Sequence, residues 1–283
     1  MPALFVLIWS TGFIVARYGM PHSPPMKFLL VRYALSMACF LPWIFFAKVK
    51  WPTNRTQWIH LAITGVFMHA GYLGGVWAAV KAGMGSGLSA LIVGLQPVLT
   101  ALWLSSMGGQ IARRQWLGLV LGFVGLVMVV SRKFEQGGEA DWVNMAFAIG
   151  ALFSITIGTL YQKRFVAPCD VRTASVVQLM AATLVTLPLA LMETETIHWS
   201  SGLAGAMAWS VLVLTLGGSS LLYLLIQRGA AASVTSLMYL VPPSTALLAW
   251  LLFSEPITVV TIAGTLLTAF GVSLVVRPAF KAA

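Results

Sequence analysis

The sequence predicts an all-α polytopic membrane protein, with ten transmembrane helices arranged as two five-helix repeats of inverted topology. Three observations carry that prediction. Of the 283 residues, 59% are hydrophobic and 8% are charged, about a third of the charge usual in soluble domains. So few ionic groups cannot cover a water-facing surface, whatever the size of the core. Ten apolar stretches approach the roughly 20 residues that a helix needs to cross a bilayer. Finally, the chain superposes on itself at one constant shift of 146 residues.

In order, the first five stretches cover residues 2–19, 28–46, 58–80, 86–107 and 116–130. The second five cover 142–162, 173–192, 203–226, 232–253 and 258–276. Their apolar runs are continuous and do not alternate with period two, which excludes strands. Connections are too short to hold an inserted soluble domain, so the repeats divide as 1–133 and 139–283. The first stretch has no basic residue before it and no small-x-small site before Arg17 or Tyr18. It is therefore expected to remain as a helix and not to be cleaved as a leader. With two cysteines, Cys39 and Cys169, a disulfide scaffold or a cysteine-rich metal site is excluded.

The net charge of +10 is a topology signal. With the N-terminus inside, the inner loops hold Lys48, Lys50, Arg55, Arg113, Arg114, Lys163, Arg164, Arg172, Arg228, Arg277 and Lys281. The outer loops hold only Lys27, Lys81, Arg132 and Lys133. Acidic residues fall the other way, with Asp170 alone inside. This asymmetry places both termini in the cytoplasm of a bacterial-type inner membrane. It leaves no reason to invoke nucleic acid.

At the 146-residue shift five glycines fall on glycines: Gly12 on Gly158, Gly71 on Gly217, Gly83 on Gly229, Gly118 on Gly264 and Gly125 on Gly271. Pro42 and Pro97 fall on Pro188 and Pro243. From these residue frequencies chance supplies about one glycine coincidence. Each half has an odd number of spans, so the halves must run in opposite senses through the membrane. Inverted repeats of this kind recur in secondary transporters. The alternative, that duplication merely builds a stable bundle, lacks the catalytic cluster that a membrane enzyme would need.

Several motifs resemble a known family. The opening Leu7-Ile8-Trp9-Ser10-Thr11-Gly12-Phe13, followed by Pro25, Phe28 and Arg32, is similar to the start of an EamA repeat. Leu91 to Pro97, its counterpart Leu237 to Pro243, Ser254-Glu255-Pro256 and Gly264 to Gly271 also resemble that family, which belongs to the drug/metabolite transporter superfamily. The resemblance implies ten helices, a central cavity lined from both halves, and export of amino acids or other metabolites. One departure is visible: Gly109 stands where a second copy of Glu255 is expected, which puts in doubt any role requiring the acid twice.

Polar groups at bilayer depth are expensive and are functional candidates by default. His69, Tyr72 and Trp77 share a broad face of the third span. Tyr223 stands at the shift-equivalent of Trp77. The face reads either as a cavity wall with stacking surfaces and one imidazole, or as a buried histidine with interfacial aromatics. Gln96 shares a face of the fourth span with Ser89, Val93 and Thr100, and Pro97 removes a backbone donor beside it. The ninth span repeats this with Thr235, Tyr239, Pro242 and Pro243. Carbonyls freed at mid-membrane must face protein or an aqueous cavity, so these prolines mark hinges next to one. Trp9 occupies the centre of the first span. Arg17 and Arg32 offer a contact for a substrate carboxylate, or instead snorkel to headgroups or bond a neighbouring helix.

No Asp or Glu lies deep in any span, which disfavours the cation-for-proton exchange of small multidrug-resistance carriers. There is no Gly-rich phosphate loop, hence no sign of ATP use, and no cofactor or metal set. The expected function is secondary, non-ATP export by alternating access of small neutral or zwitterionic metabolites, amino acids first. A multidrug, cationic-compound or lipid exporter is the alternative, and a membrane enzyme the remotest one. The partners are a small-molecule substrate and the bilayer, with the proton a coupling ion only through His69. The protein would act as a monomer or homodimer.

Overall fold

The computed structural model describes residues 2–106, 112–136, 140–227, 240–255 and 257–276. Among them every regular element is helical. α1 (Pro2–Gly19) and α2 (Pro25–Phe46) are followed by a long rod. In that rod α3 (Arg55–Gly65) passes through a π-helical segment (Val66–Gly71) into α4 (Tyr72–Lys81). α5 (Ser86–Val93) and α6 (Gln96–Ser106) form one span broken at Gly94-Leu95, and α7 (Arg113–Gln136) closes the first half. The second half holds α8 (Trp142–Phe165), α9 (Val171–Met192) and a second rod. That rod runs through α10 (Ser201–Trp209), a π segment (Ser210–Ser219) and α11 (Ser220–Gln227). α12 (Val241–Phe253) and α13 (Val259–Val276) follow.

The helix starts are written in the sequence. Asp141 and Asn144 form a reciprocal capping box on α8, and Asn54, Asp170 and Ser200 accept from the first turns of α3, α9 and α10. Two further caps come from across the chain. The Glu193 carboxylate accepts the N–H groups of Met26 and Lys27, each at 2.9 Å. Glu255 accepts those of Ser86 at 3.0 Å and Gly87 at 3.4 Å. Both acids thus sit where the partial positive end of a helix favours them. The role of Glu255 is a cap on α5.

Seven of these helical stretches are long and apolar enough to cross a membrane, and three shorter apolar ones accompany them: Leu4–Gly19, Val241–Phe253 and Val259–Val275. Large apolar side chains such as Phe45, Phe46, Leu184 and Val259 point outward. A surface of that kind has lipid as its solvent. The chain is a multi-pass membrane protein.

Element boundaries recur at the shift of 146. α2 and α9 begin and end at equivalent residues, α7 and α13 begin at equivalent residues, and the counterpart of Val66–Gly71 falls within the second π segment. Packing follows the same rule. α2 packs on α9, α5 on α12 and α7 on α13; α3 packs on α8, as its counterpart α10 packs on α1. At the α7–α13 seam a Cβ on Gly118 would lie 2.5 Å from the Gly271 carbonyl oxygen, and one on Gly125 would lie 2.5 Å from that of Gly264. Only glycine permits so close a backbone approach. Gly118 corresponds to Gly264 and Gly125 to Gly271, so the pairings cross, as a two-fold relation requires. The third span departs from a plain α-helix through its π segment. Residues 232–239 of the expected ninth span, with Thr235 and Tyr239, lie outside the described residues, as do Gly109, Gly229 and Pro256.

Candidate functional site

The site begins with the two π segments. A π turn displaces carbonyls from their usual helical partners, and in this fold side-chain hydroxyls cover them. The Tyr33 hydroxyl donates to the His69 carbonyl at 2.9 Å, the Ser154 hydroxyl to that of Phe67 at 3.0 Å, and the Thr215 hydroxyl to that of Ser210 at 3.0 Å. His69 and Thr215 are repeat counterparts, and each meets a polar residue from the second helix of the opposite half. Arg32 Nε donates to Thr215 Oγ1 at 3.0 Å. Gln178, the counterpart of Arg32, lies against His69. One contact has been built twice, once with a cation and once with an amide.

Between these contacts lies a cavity lined from both halves of the chain. The first half contributes Trp9, Gly12, Phe13, Arg32, Met68, His69, Tyr72, Leu73, Val76 and Trp77; the second contributes Gln162, Gln178, Leu214, Ser219, Leu222 and Tyr223. The Trp9 and Tyr72 rings are parallel with centroids 6.4 Å apart. Trp77 is buried in a stack on Phe28, with centroids 4.4 Å apart. Tyr223, its repeat counterpart, is equally buried, with its hydroxyl 3.0 Å from Cys169 Sγ.

Six residues singled out from the sequence therefore share one cavity: Trp9, Arg32, His69, Tyr72, Trp77 and Tyr223. Others are placed elsewhere. Gln96 donates through Nε2 to Thr159 Oγ1 at 3.0 Å, outside the cavity. Pro97 lies in the first turn of α6, and Pro242 and Pro243 in that of α12. Both mark the ends of broken or freshly started helices. Arg17 is half-exposed near the end of α1. Sequence reasoning missed Gln162, Gln178 and the π segments. The glutamines were findable as strongly polar residues inside apolar spans, and Gln178 also as the repeat partner of Arg32.

Arg32 is 3% exposed and is the one charged residue among those lining the cavity. Among the described residues it forms no ion pair, and its hydrogen bond to Thr215 runs through Nε and not through the terminal nitrogens. The described carboxylates whose contacts are resolved are engaged far from it. Asp141, Glu193 and Glu255 cap helices, and Glu195 pairs with Lys81 at 2.6 Å. Asp170 takes a two-pronged contact from Arg172, with its closest approach at 2.7 Å, and that guanidinium holds its carboxyl below the usual carboxylate range.

An all-helical membrane protein with a mid-chain aromatic cavity fed from both halves defines a carrier-like fold. Known proteins specify it further. The chain belongs to the EamA-like transporter family, which matches residues 2–131 and 142–277. An uncharacterized transporter from Archaeoglobus fulgidus is 24% identical over 96% of this chain and 94% of its own length. The uncharacterized inner membrane transporter YedA of Escherichia coli is 26% identical over 85% of this chain and 78% of its own. A probable amino-acid metabolite efflux pump from Salmonella typhimurium is 26% identical over 57% of this chain and 52% of its own. A crystal structure at 17% identity superposes with a TM-score of 0.71, covering 97% of this chain and 95% of that one, which supports the fold. The protein is a membrane transporter of the drug/metabolite type.

Proposed function

We propose that the chain exports small amino-acid-type metabolites by alternating access. In this reading ten spans form two inverted five-helix units, with both termini on the cytoplasmic side of the inner membrane. The observation that carries it is the cavity shared between the halves, in which a buried arginine stands beside stacked aromatic rings. Arg32 supplies the contact for a carboxylate. Trp9, Tyr72, Trp77 and Tyr223 supply apolar surface for a side chain, and His69 with Gln178 supplies polar contacts. The recurrence of element boundaries at a shift of 146, together with the crossed glycine seam, supports two exchangeable halves. Trp77 and Tyr223, counterparts at the shift of 146, both line the cavity. The relative named as a probable amino-acid metabolite efflux pump supports the substrate class. A cationic-drug exporter is disfavoured, because Arg32 repels cations and no acidic residue among those lining the cavity receives them. Transport is driven by the substrate's own gradient. Counterflow in proteoliposomes with a panel of labelled amino acids tests the reading. Saturable exchange is expected, equal with and without a pH gradient; no exchange with any member of the panel refutes it.

A further inference from the structure

The polar groups of the cavity are unbalanced in a way that selects among carboxylates. Donors are left open. Arg32 lines the cavity and bonds Thr215 through Nε and not through its terminal nitrogens, and among the described residues Gln162 Nε2 and Gln178 Nε2 are buried without a partner. Those two glutamines are 4% and 5% exposed. Backbone acceptors at the π segments, in contrast, are engaged. The backbone carbonyls loosened by the π segments at Phe67, His69 and Ser210 already receive Ser154, Tyr33 and Thr215. No Asp or Glu is among the residues lining the cavity. Buried polar groups require partners, and the partner that satisfies open donors is a ligand rich in acceptors. A free ammonium group finds the reverse: a fixed positive charge close by, and no carboxylate to pair with.

We infer that, within the amino-acid-type class, the cavity prefers molecules whose α-amino group is absent or acylated, 2-oxo acids and N-acylated amino acids, over the parent zwitterions. The carboxylate engages Arg32. The keto or amide oxygen engages the glutamine donors, and the side chain lies among the aromatic rings. The repeat explains how the preference arises. The same contact in the two halves carries a guanidinium in one and a neutral amide in the other, so the pair adds one positive charge and no carboxylate to balance it.

This inference rests on the transport reading above, and a matched series separates the two. Phenylalanine, N-acetylphenylalanine, phenylpyruvate and phenethylamine share one ring and differ in charge and acceptors. Binding of each to the purified full-length protein is measured by calorimetry, and their exchange by counterflow. Both anions are expected to bind on the order of tenfold tighter than phenylalanine, and phenethylamine not at all. Gln178→Leu should bring the affinity of the anions down close to that of phenylalanine measured in the same variant. Gln162→Leu, measured alongside, keeps the test open if one variant fails to fold. Phenylalanine binding as tightly as both anions, with measurable transport, overturns the inference and leaves the transport reading standing. Absence of binding and exchange for all four, together with silence across the amino-acid panel, overturns both.

Discussion

Arg32→Gln is the most informative single change in the molecule, because the fold already tolerates that side chain at the equivalent place in the other half. Arg32 is nearly fully buried and holds Thr215 Oγ1 at 3.0 Å. A glutamine there removes the charge and keeps an amide donor, while Thr215 remains bonded to the Ser210 carbonyl. What disappears is the charge-assisted contact to a substrate carboxylate, worth about 1.5–3 kcal/mol. At about 1.4 kcal/mol per tenfold, KM for a carboxylate substrate should rise roughly 10- to 100-fold. Membrane abundance and thermal stability should stay near those of the unaltered chain. The assay is counterflow in proteoliposomes normalised to reconstituted protein, with Arg17→Gln as the control. Arg17 lies outside the cavity, so that variant should retain its KM. An unchanged KM in Arg32→Gln, or an equal loss in Arg17→Gln, refutes the assignment of the carboxylate contact.

Other expectations concern the scaffold. Gly118→Ala places a Cβ 2.5 Å from the Gly271 carbonyl oxygen, and overpacking of that kind should cost about 1–3 kcal/mol, read as a lower unfolding temperature in detergent. Glu255→Gln weakens the cap on Ser86 and Gly87; a loss of about 0.5–2 kcal/mol with unchanged substrate KM would show that this acid serves stability and not ion coupling. Asp170 has its pKa lowered by the Arg172 contact. Its contribution to stability is therefore complete above the unfolded carboxylate value of about 3.9 and is lost as pH falls through the lower folded value. Asp170→Asn should flatten that acid limb in an unfolding titration; an unaltered acid limb would assign the loss to other carboxylates.

The fold was legible in the sequence to the extent that lipid simplifies the problem. Long apolar runs have one outcome in a bilayer, so the stretches from 28, 86 and 142 onward appear as helices within a few residues of where hydropathy puts them. The self-similarity at 146 recurs in the element boundaries. Which helices pack together, and the approach of Gly118 to Gly271 and of Gly125 to Gly264, came only from the structure. The π segments were hidden, because α and π turns differ by a single residue of register and no residue type specifies one. Residues at or beside those segments set the cavity: His69 lines it from within the first one, where the rod is underwound. Arg32 could be read two ways, since a basic residue in the outer part of a span snorkels as readily as it binds. In the structure Arg32 is buried and bonded to Thr215 on another helix, so it does not snorkel. Gln96, by contrast, shared its spacing with a plausible cavity face and instead bonds Thr159, since hydrogen bonding to a neighbouring helix satisfies an amide as well as any solute does.

Substrate protection of thiols placed in opposite halves tests the shared chamber most directly. In a chain with Cys39 and Cys169 replaced by serine, single cysteines at Val76 and Ser219 would each react with a small maleimide, at rates followed by mass spectrometry. One molecule bound between the halves shields both positions, with a common half-protecting concentration. Protection confined to one position, or two midpoints differing by orders of magnitude, contradicts a binding site built jointly by the two repeats.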